Sequence, residues 1–212
     1  MKYIDMSNWK RRDHFNYFRN LDYPHFNICA NLDITNFYNY IKENKLPFFI
    51  SVLYASTKTA NGIQEFRLRI REDKLIEHEI VHPSFTIMTE GEVFNFCDAK
   101  FIENYTDFKD NTLKEIEKAK LNTCLKNDKK RDDLLYTTSI PWISFTSISH
   151  PINTNTTDSI PRIAWGKFFN ENGKVKLPFS VQAHHAVVDG VHAGHFFNII
   201  QEMFNNPTKY FF

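Results

Sequence analysis

The chain contains 212 residues, of which 42% are hydrophobic, 16% aromatic and 24% charged, and its formal net charge is +1. This composition is typical of a globular protein and excludes a disordered or low-complexity chain, and the length predicts a single domain over residues 1–212. A charge so close to zero excludes the basic excess through which proteins usually bind nucleic acid.

The sequence has the features of a cytoplasmic protein. No run of about 18 apolar residues could span a membrane, and the N-terminus, MKYID, lacks the apolar segment of a signal peptide. The three cysteines, Cys29, Cys97 and Cys124, do not have metal-ligand spacing. We therefore expect reduced, buried thiols and no association with membranes.

Helical spacing of apolar residues dominates the N-terminal part of the chain. Asn8 can cap a first helix over residues 9–21, and a second helix is expected to open at Asp33 or Thr35. A third is predicted over residues 47–61, with proline in its first turn and a stop near the following glycine.

Alternating apolar residues predict short strands at residues 66–70, 75–76 and 85–87. A charged helix over residues 106–121 follows them. The middle of the chain therefore combines both kinds of element.

A β-hairpin followed by a helix is predicted in the C-terminal third. Residues 163–169 form its first strand, and Asn172-Gly173 forms the turn because both residues tolerate positive φ. In the return strand, residues 175–183, odd positions are apolar and even ones mostly polar, so we expect the odd set to face the core. After Gly190 the spacing becomes helical. An α/β fold follows, with helices against a mixed or largely antiparallel sheet.

Candidate functional residues occur where this last strand ends. His185 continues the odd parity, and a buried polar ring without a partner costs about 1–3 kcal/mol. Taken singly, His185 is most simply a structural histidine, and Asp189-Gly190 an ordinary turn or helix cap. Taken together, a base at a strand end and an acid across a tight turn are also a candidate catalytic group.

Metal binding is the alternative interpretation of this segment. On a continuous helix His185, Asp189 and His192 would share one face, with His195 close by. The strand pattern before His185 and the interruption at Gly190 argue against such a helix. We therefore expect no metal.

The segment Gln182–His192, QAHHAVVDGVH, resembles the active-site signature of chloramphenicol acetyltransferases. The pattern His-x-x-x-Asp-Gly alone also occurs in lipoyl-dependent acyltransferases and peptide-synthetase condensation domains. Further segments nevertheless fall in the family's order and approximate spacing, so the likeness spans the whole chain; they are WKRRDHF (9–15), LDIT (32–35), EFR (65–67), VHP (81–83) and PWISFTS (141–147).

The resemblance implies a two-layer α/β sandwich of the coenzyme A-dependent acyltransferase type, with helices covering a mixed, largely antiparallel sheet. It also implies a homotrimer with its sites at subunit interfaces. The partners it implies are chloramphenicol, as the hydroxyl acceptor, and acetyl-coenzyme A, as the co-substrate.

Roles for individual residues also follow from the resemblance. His185 matches the general base, whose ring is oriented by a bond to its own backbone carbonyl, which leaves Nε2 to accept the hydroxyl proton. Ser147 matches the serine that stabilises the oxyanion, and it shares strand parity with Ile143 and Phe145. Asp189 and Arg11 match a buried structural salt bridge that shapes the site.

Aromatic residues are expected to bind the acceptor, which is flat and apolar. By alignment with the family, the candidates are Tyr17, Phe18, Phe26 and Phe94. Ordinary core packing is the alternative for each of them.

Three positions depart from the family. Val191 replaces a preferred aromatic residue, Val188 a common cysteine, and Ala164 a threonine that holds a water in some members. Residues 149–158 diverge most. Two other functions therefore stay open: acylation of a different hydroxyl acceptor, and a non-catalytic drug-binding module.

Overall fold

The computed structural model describes residues 1–121, 131–153 and 158–211. The helices of these ranges are α1 (Arg12–Phe18), α2 (Thr35–Glu43), α3 (Phe48–Asn61), α4 (Tyr105–Lys120) and α5 (Gly190–Asn205). The strands are β1 (Lys2–Tyr3), β2 (His25–Asp33), β3 (Leu68–Arg71), β4 (Lys74–Glu77), β5 (His82–Met88), β6 (Phe94–Asp98), β7 (Leu134–Ile140), β8 (Arg162–Gly166), β9 (Phe169–Glu171) and β10 (Lys174–His184).

The main sheet has the strand order β2-β10-β8-β7-β5-β6, with β9 beside β10. Strand β7 is parallel to both its neighbours, β5 and β8, whereas the other pairs are antiparallel. A second, antiparallel sheet has the order β1-β4-β3. The predicted α/β class with a mixed, largely antiparallel sheet is confirmed.

Helices α2, α3 and α5 pack together and against strands of the main sheet. The odd residues of β10 form the centre of this layer; Phe179 lies 6.0 Å from Phe196 of α5, measured between ring centroids. On β8, Trp165 lies 5.5 Å from Phe49 of α3 by the same measure. Burial of these large rings is the main contribution to stability in this layer.

The even residues in the second half of β10 are also buried, which the alternating pattern does not predict. Ser180, Gln182 and His184 are fully buried although they are polar. The segment that follows β7 covers them: Gln182 Oε1 accepts a hydrogen bond from the backbone N–H of His150 at 2.9 Å. Similarly, Asn27 of β2 donates to the carbonyl of Ile148 at 2.6 Å. These two hydrogen bonds hold the segment against the polar face of the strand, although Gln182 Nε2 has no partner among the described residues.

Several predicted elements are confirmed. Helix α3 ends at Asn61, α4 covers Tyr105–Lys120, and the turn between β9 and β10 has positive φ at both Asn172 and Gly173. The return strand and the final helix are where the spacing placed them.

Other predicted elements are wrong in detail. The first helix begins at Arg12, and the Asn8 amide donates to Asp5 instead of capping it. Residues 64–67 form a 3₁₀ turn before β3, and residues 163–169 are divided between β8 and β9. Strands β2 and β7 correspond to no predicted element, because β2 is too irregular in polarity and β7 is mixed on both faces.

The segment of Ser147 is not a strand, contrary to its predicted parity with Ile143 and Phe145. Its backbone is joined to the end of β8 by one hydrogen bond, from Lys167 N to Ile143 O at 2.8 Å, which is too few for a paired β-strand. A Cβ at Gly166 would lie only 2.8 Å from that carbonyl oxygen, so glycine is what permits the close approach.

Within the described ranges no helix is long and apolar enough to cross a lipid bilayer. Cys97 is buried, which raises the pKa of its thiol to about 12, while Cys29 is half-buried. Both are free thiols. Cys124 lies outside the described residues.

Candidate active site

The turn from β10 into α5 brings His185 and Asp189 together with Arg11, which immediately precedes α1. Backbone N–H groups of Val187 and Val188 both donate to the carbonyl of His184, at 3.1 and 3.0 Å. The N–H of His185 donates to Pro24 at 2.7 Å. His185 is therefore held on a rigid turn at the end of a strand buried on both faces, as a precise chemical group requires.

Two aromatic rings hold the His185 side chain. Phe18 stacks on the imidazole with ring centroids 3.9 Å apart and an interplanar angle of 5°. Phe26 lies against it at 4.8 Å and 48°. The expected bond from the ring to its own carbonyl is not formed: Nδ1 is buried without a partner among the described residues. The carbonyl instead faces the Arg11 guanidinium, at 3.5 Å. Stacking, and not a hydrogen bond, therefore fixes the ring plane here.

Arg11 and Asp189 form an ion pair, with Arg11 Nη1 2.7 Å from Asp189 Oδ2. The bond from Arg11 lowers the pKa of the Asp189 carboxyl, which also accepts from the N–H of Gly190 at 2.7 Å as the cap of α5. The side chains are 16% and 33% exposed, so the pair is only partly buried. Solvent screening therefore weakens it relative to the fully buried pair that the resemblance implies.

Replacement of Arg11 by methionine is expected to lower the free energy of unfolding by about 1–3 kcal/mol at neutral pH, less than the 3–5 kcal/mol of a fully buried pair. Because the folded-state pKa of Asp189 is depressed, this contribution is present above the ordinary aspartate pKa of about 3.9. It is lost as pH falls through the lower folded-state value. Urea unfolding of both proteins at pH 7 and at low pH measures the difference.

An exposed ion pair of the same type provides the control. Arg19 Nη2 lies 2.7 Å from Asp73, whose side chain is 93% exposed. Asp73→Asn is expected to change stability by less than about 1 kcal/mol at either pH. Equal effects of Arg11→Met and Asp73→Asn would contradict a structural role for the Arg11 pair.

His192 forms part of the capping box at the N-terminus of helix α5. Its Nδ1 accepts the N–H of Asp189 at 2.9 Å, and its Nε2 lies 3.4 Å from Glu65. His195 is exposed on the next turn. In the part of the chain that the structure describes, no three metal-ligating side chains come together.

A cavity of about 1010 Å³ opens beside β5, β6, β7 and β8. Aromatic residues of several elements form much of its wall: Phe48, Phe49, Phe94, Phe96, Trp142, Trp165 and Phe168. This volume and this lining suit a flat apolar molecule. His185 does not line the cavity.

The four predicted acceptor-binding residues lie in two places. Phe18 and Phe26 contact His185, and Tyr17, which is 67% exposed, packs edge-on against Phe18 at 5.1 Å. Phe94 lies on the cavity wall. In one copy of the chain, the histidine and the cavity are thus separate.

Ser147 is exposed and does not line the cavity. The serine and threonine residues that do line it are Ser84, Thr86, Thr137, Thr138 and Ser139. Of the three departures, Ala164 and Val188 are fully buried, as packing residues are, and Val191 is 56% exposed.

A charged group on the cavity wall was not predicted from the sequence. Arg162 and Asp158 form an ion pair there, beside His150. An acid and a base four residues apart are common on protein surfaces, so the sequence does not indicate that this pair is buried. Its burial depends on the topology, in which the segment after β7 covers β8.

A family model described as chloramphenicol acetyltransferase matches residues 1–201. A chloramphenicol acetyltransferase from Bacillus pumilus is 34% identical over 197 residues, 92% of this chain and 89% of that protein. A solved chloramphenicol acetyltransferase superimposes with a TM-score of 0.85 and 23% identity, over 96% of this chain and 99% of that one. The cubic core of the pyruvate dehydrogenase complex shares the fold, with a TM-score of 0.72 and 15% identity, over 99% and 93%.

Proposed function

The chain belongs to the chloramphenicol acetyltransferase family and is an acyltransferase, and from this premise we propose that it transfers an acetyl group from acetyl-coenzyme A to the primary hydroxyl of chloramphenicol. The observation that carries the proposal is the rigidly held imidazole of His185, set at a strand end between two aromatic rings. Acetylation of that hydroxyl would confer resistance to the antibiotic.

In the proposed reaction His185 acts as general base. Its Nε2 accepts the proton of the acceptor hydroxyl as the oxygen attacks the thioester carbonyl, and later returns it to the departing thiolate. Phe18 and Phe26 keep the ring in place during both transfers, and the Arg11–Asp189 pair fixes the turn that carries it. No covalent acyl-enzyme is needed, because both substrates are bound together.

The complete site is proposed to lie between two copies of the chain in a cytoplasmic homotrimer, each copy being one domain over residues 1–212. Separation of His185 from the cavity within one copy supports this arrangement. The exposed Tyr17 and Trp142 offer apolar surface for such a contact. His185 of one copy would then face the cavity of the next, where Phe94 contacts the acceptor.

The cavity has room for two substrates. At about 1010 Å³ it is at the upper limit of pockets for one drug-sized molecule, so an acceptor and a thioester arm can share it. Bringing both into one pocket removes much of the entropic cost of the reaction.

Ser147 is proposed to donate a hydrogen bond to the oxyanion of the tetrahedral intermediate. The support is the resemblance of PWISFTS (141–147) to the family's motif. Its exposure in a single copy is compatible with a site shared between copies. Thr138 is the competing candidate, because its hydroxyl-bearing side chain lines the cavity.

Thiol release from acetyl-coenzyme A, measured with and without chloramphenicol, tests the proposed function. We expect release to depend on chloramphenicol and to stop when its primary hydroxyl is blocked. Release with other alcohols but not with chloramphenicol would indicate a different acceptor. Tight binding of the drug without any thiol release would indicate a non-catalytic drug-binding module.

A further inference from the structure

One end of the cavity differs chemically from the rest of its wall. It is formed by Arg162, Asp158, His150 and Tyr136, which we call the polar end. Burying a cation in a cavity otherwise lined by aromatic rings costs free energy unless an anion and hydrogen-bond acceptors lie next to it. The arrangement of the polar end therefore determines which ligand groups it accepts.

The positive charge of Arg162 is balanced by neighbouring groups of the protein. Its side chain is 8% exposed; Nη2 donates to Asp158 Oδ2 at 2.6 Å, and Nη1 donates to the carbonyl of Ile160 at 2.9 Å. The guanidinium carbon lies 5.6 Å from the centroid of the Tyr136 ring. The guanidinium is thus held on several sides before any ligand binds.

His150 is also fixed in position. Its backbone N–H donates to Oε1 of Gln182, which is fully buried on β10. Burial, and then the positive charge of Arg162, lower the pKa of the imidazole, so the ring is neutral at neutral pH. With one balanced ion pair and one neutral ring, the polar end carries no net charge.

The other cations of the wall lie elsewhere. Arg162 begins β8, whereas Lys167 follows its last residue, and Lys120 is the last residue of α4. Among the described residues that line the cavity, a negative group at the polar end therefore finds no unpaired cation beside it, and a positive group would meet the guanidinium.

We propose that the polar end is the subsite for a neutral, oxygen-bearing group of the acceptor, and that it excludes acceptors with a charged group at that position. The nitro group of chloramphenicol has this chemistry, because its oxygens accept hydrogen bonds and it carries no net charge. This inference rests on the proposed function for the identity of the acceptor, and it makes the polar end the determinant of acceptor choice.

Calorimetric titration of the wild-type protein with a matched series of acceptors tests the proposal. In the series the nitro group of chloramphenicol is replaced by methylsulfonyl, hydrogen or carboxylate. We expect the nitro and methylsulfonyl compounds to bind alike and the carboxylate to bind at least about tenfold more weakly, because it loses hydration without gaining a counter-charge. Equal affinity of the nitro and carboxylate compounds would overturn the proposal.

Asp158→Asn gives the polar end a net positive charge while keeping an oxygen that Arg162 can reach. The ratio of carboxylate to nitro affinity is expected to rise about tenfold or more in this variant. Asp110→Asn on α4 is the control, since it makes the same change of charge outside the cavity lining. Equal changes in the two variants would contradict the proposal.

His150→Leu provides a second variant, since no side-chain bond of His150 is seen to the described residues. It is expected to weaken binding of chloramphenicol about 3- to 10-fold, with an unchanged melting temperature. The loss should disappear in the analogue in which hydrogen replaces the nitro group. A loss that persists with this analogue would overturn the proposal.

Binding and turnover separate the two proposals. If the wild-type protein releases no thiol with any acceptor of the series, the proposed function fails, while the binding ratios still test the polar end. If thiol is released but the binding affinities do not respond to Asp158→Asn or His150→Leu, the role proposed for the polar end is wrong and the proposed function stands.

Discussion

Replacement of His185 by alanine is expected to lower kcat for chloramphenicol acetylation by about 10²–10⁴, the range in which positioned general bases contribute. The reason is geometric: the imidazole is stacked on Phe18 at 3.9 Å, so no other group can readily take its place. Steady-state thiol release at saturating acetyl-coenzyme A measures the loss. The Kd for chloramphenicol is expected to rise by no more than about tenfold, because the imidazole supplies one hydrogen bond to the acceptor whereas the aromatic wall of the cavity buries the rest of the molecule.

His195→Ala is the matched control for this variant. His195 is exposed on the same C-terminal helix, so its removal changes the same residue type without touching the stacked ring. Its kcat should stay within about twofold of wild type. A His185→Ala protein that retains most of its activity would exclude His185 as the base.

Ser147→Ala is expected to lower kcat by about 10²–10³, the usual loss when one oxyanion donor is removed. KM for the acceptor should change little, since the hydrogen bond forms only as negative charge develops on the thioester oxygen. Kinetics of Ser147→Ala and Thr138→Val, determined side by side, measure the effect.

Thr138→Val keeps the shape of a side chain that lines the cavity but removes its hydroxyl. It is expected to lower kcat by no more than about threefold. The reverse result, with a large loss at Thr138 and a small one at Ser147, would transfer the oxyanion role to Thr138. Small losses in both variants would indicate that backbone N–H groups stabilise the oxyanion.

Local signals in the sequence were sufficient for much of the fold. Helix α4 and the turn at Asn172-Gly173 are determined by nearby residues: helical spacing in the first case, tolerance of positive φ in the second. Strands β2 and β7 were missed because neither separates apolar from polar residues by face: most of β2 is half-buried or exposed, and β7 has polar residues at both odd and even positions. Alternation marks a strand only where one face is buried and the other solvated.

Coverage of both faces of β10 explains the errors near the site. Gln182 and His184 look like surface residues of an alternating strand, yet both are fully buried under the segment after β7. That segment also carries Ser147, whose strand parity was wrong. His185 could be singled out from its position at a strand end, but its stacking on Phe18 and its distance from the cavity depend on long-range packing.

The separation of His185 from the cavity has a consequence for how such an enzyme diversifies. His185, Arg11 and Asp189 belong to the ends of α1, β10 and α5, whereas the polar end belongs to β7, β8 and the segment between them. Substitutions that adapt the protein to a new antibiotic can therefore accumulate around the polar end without disturbing His185, the proposed base, which is encoded in another stretch of the gene. Ser147, the proposed oxyanion donor, lies in the same stretch as the polar end, so it is the base alone that is inherited separately from drug range.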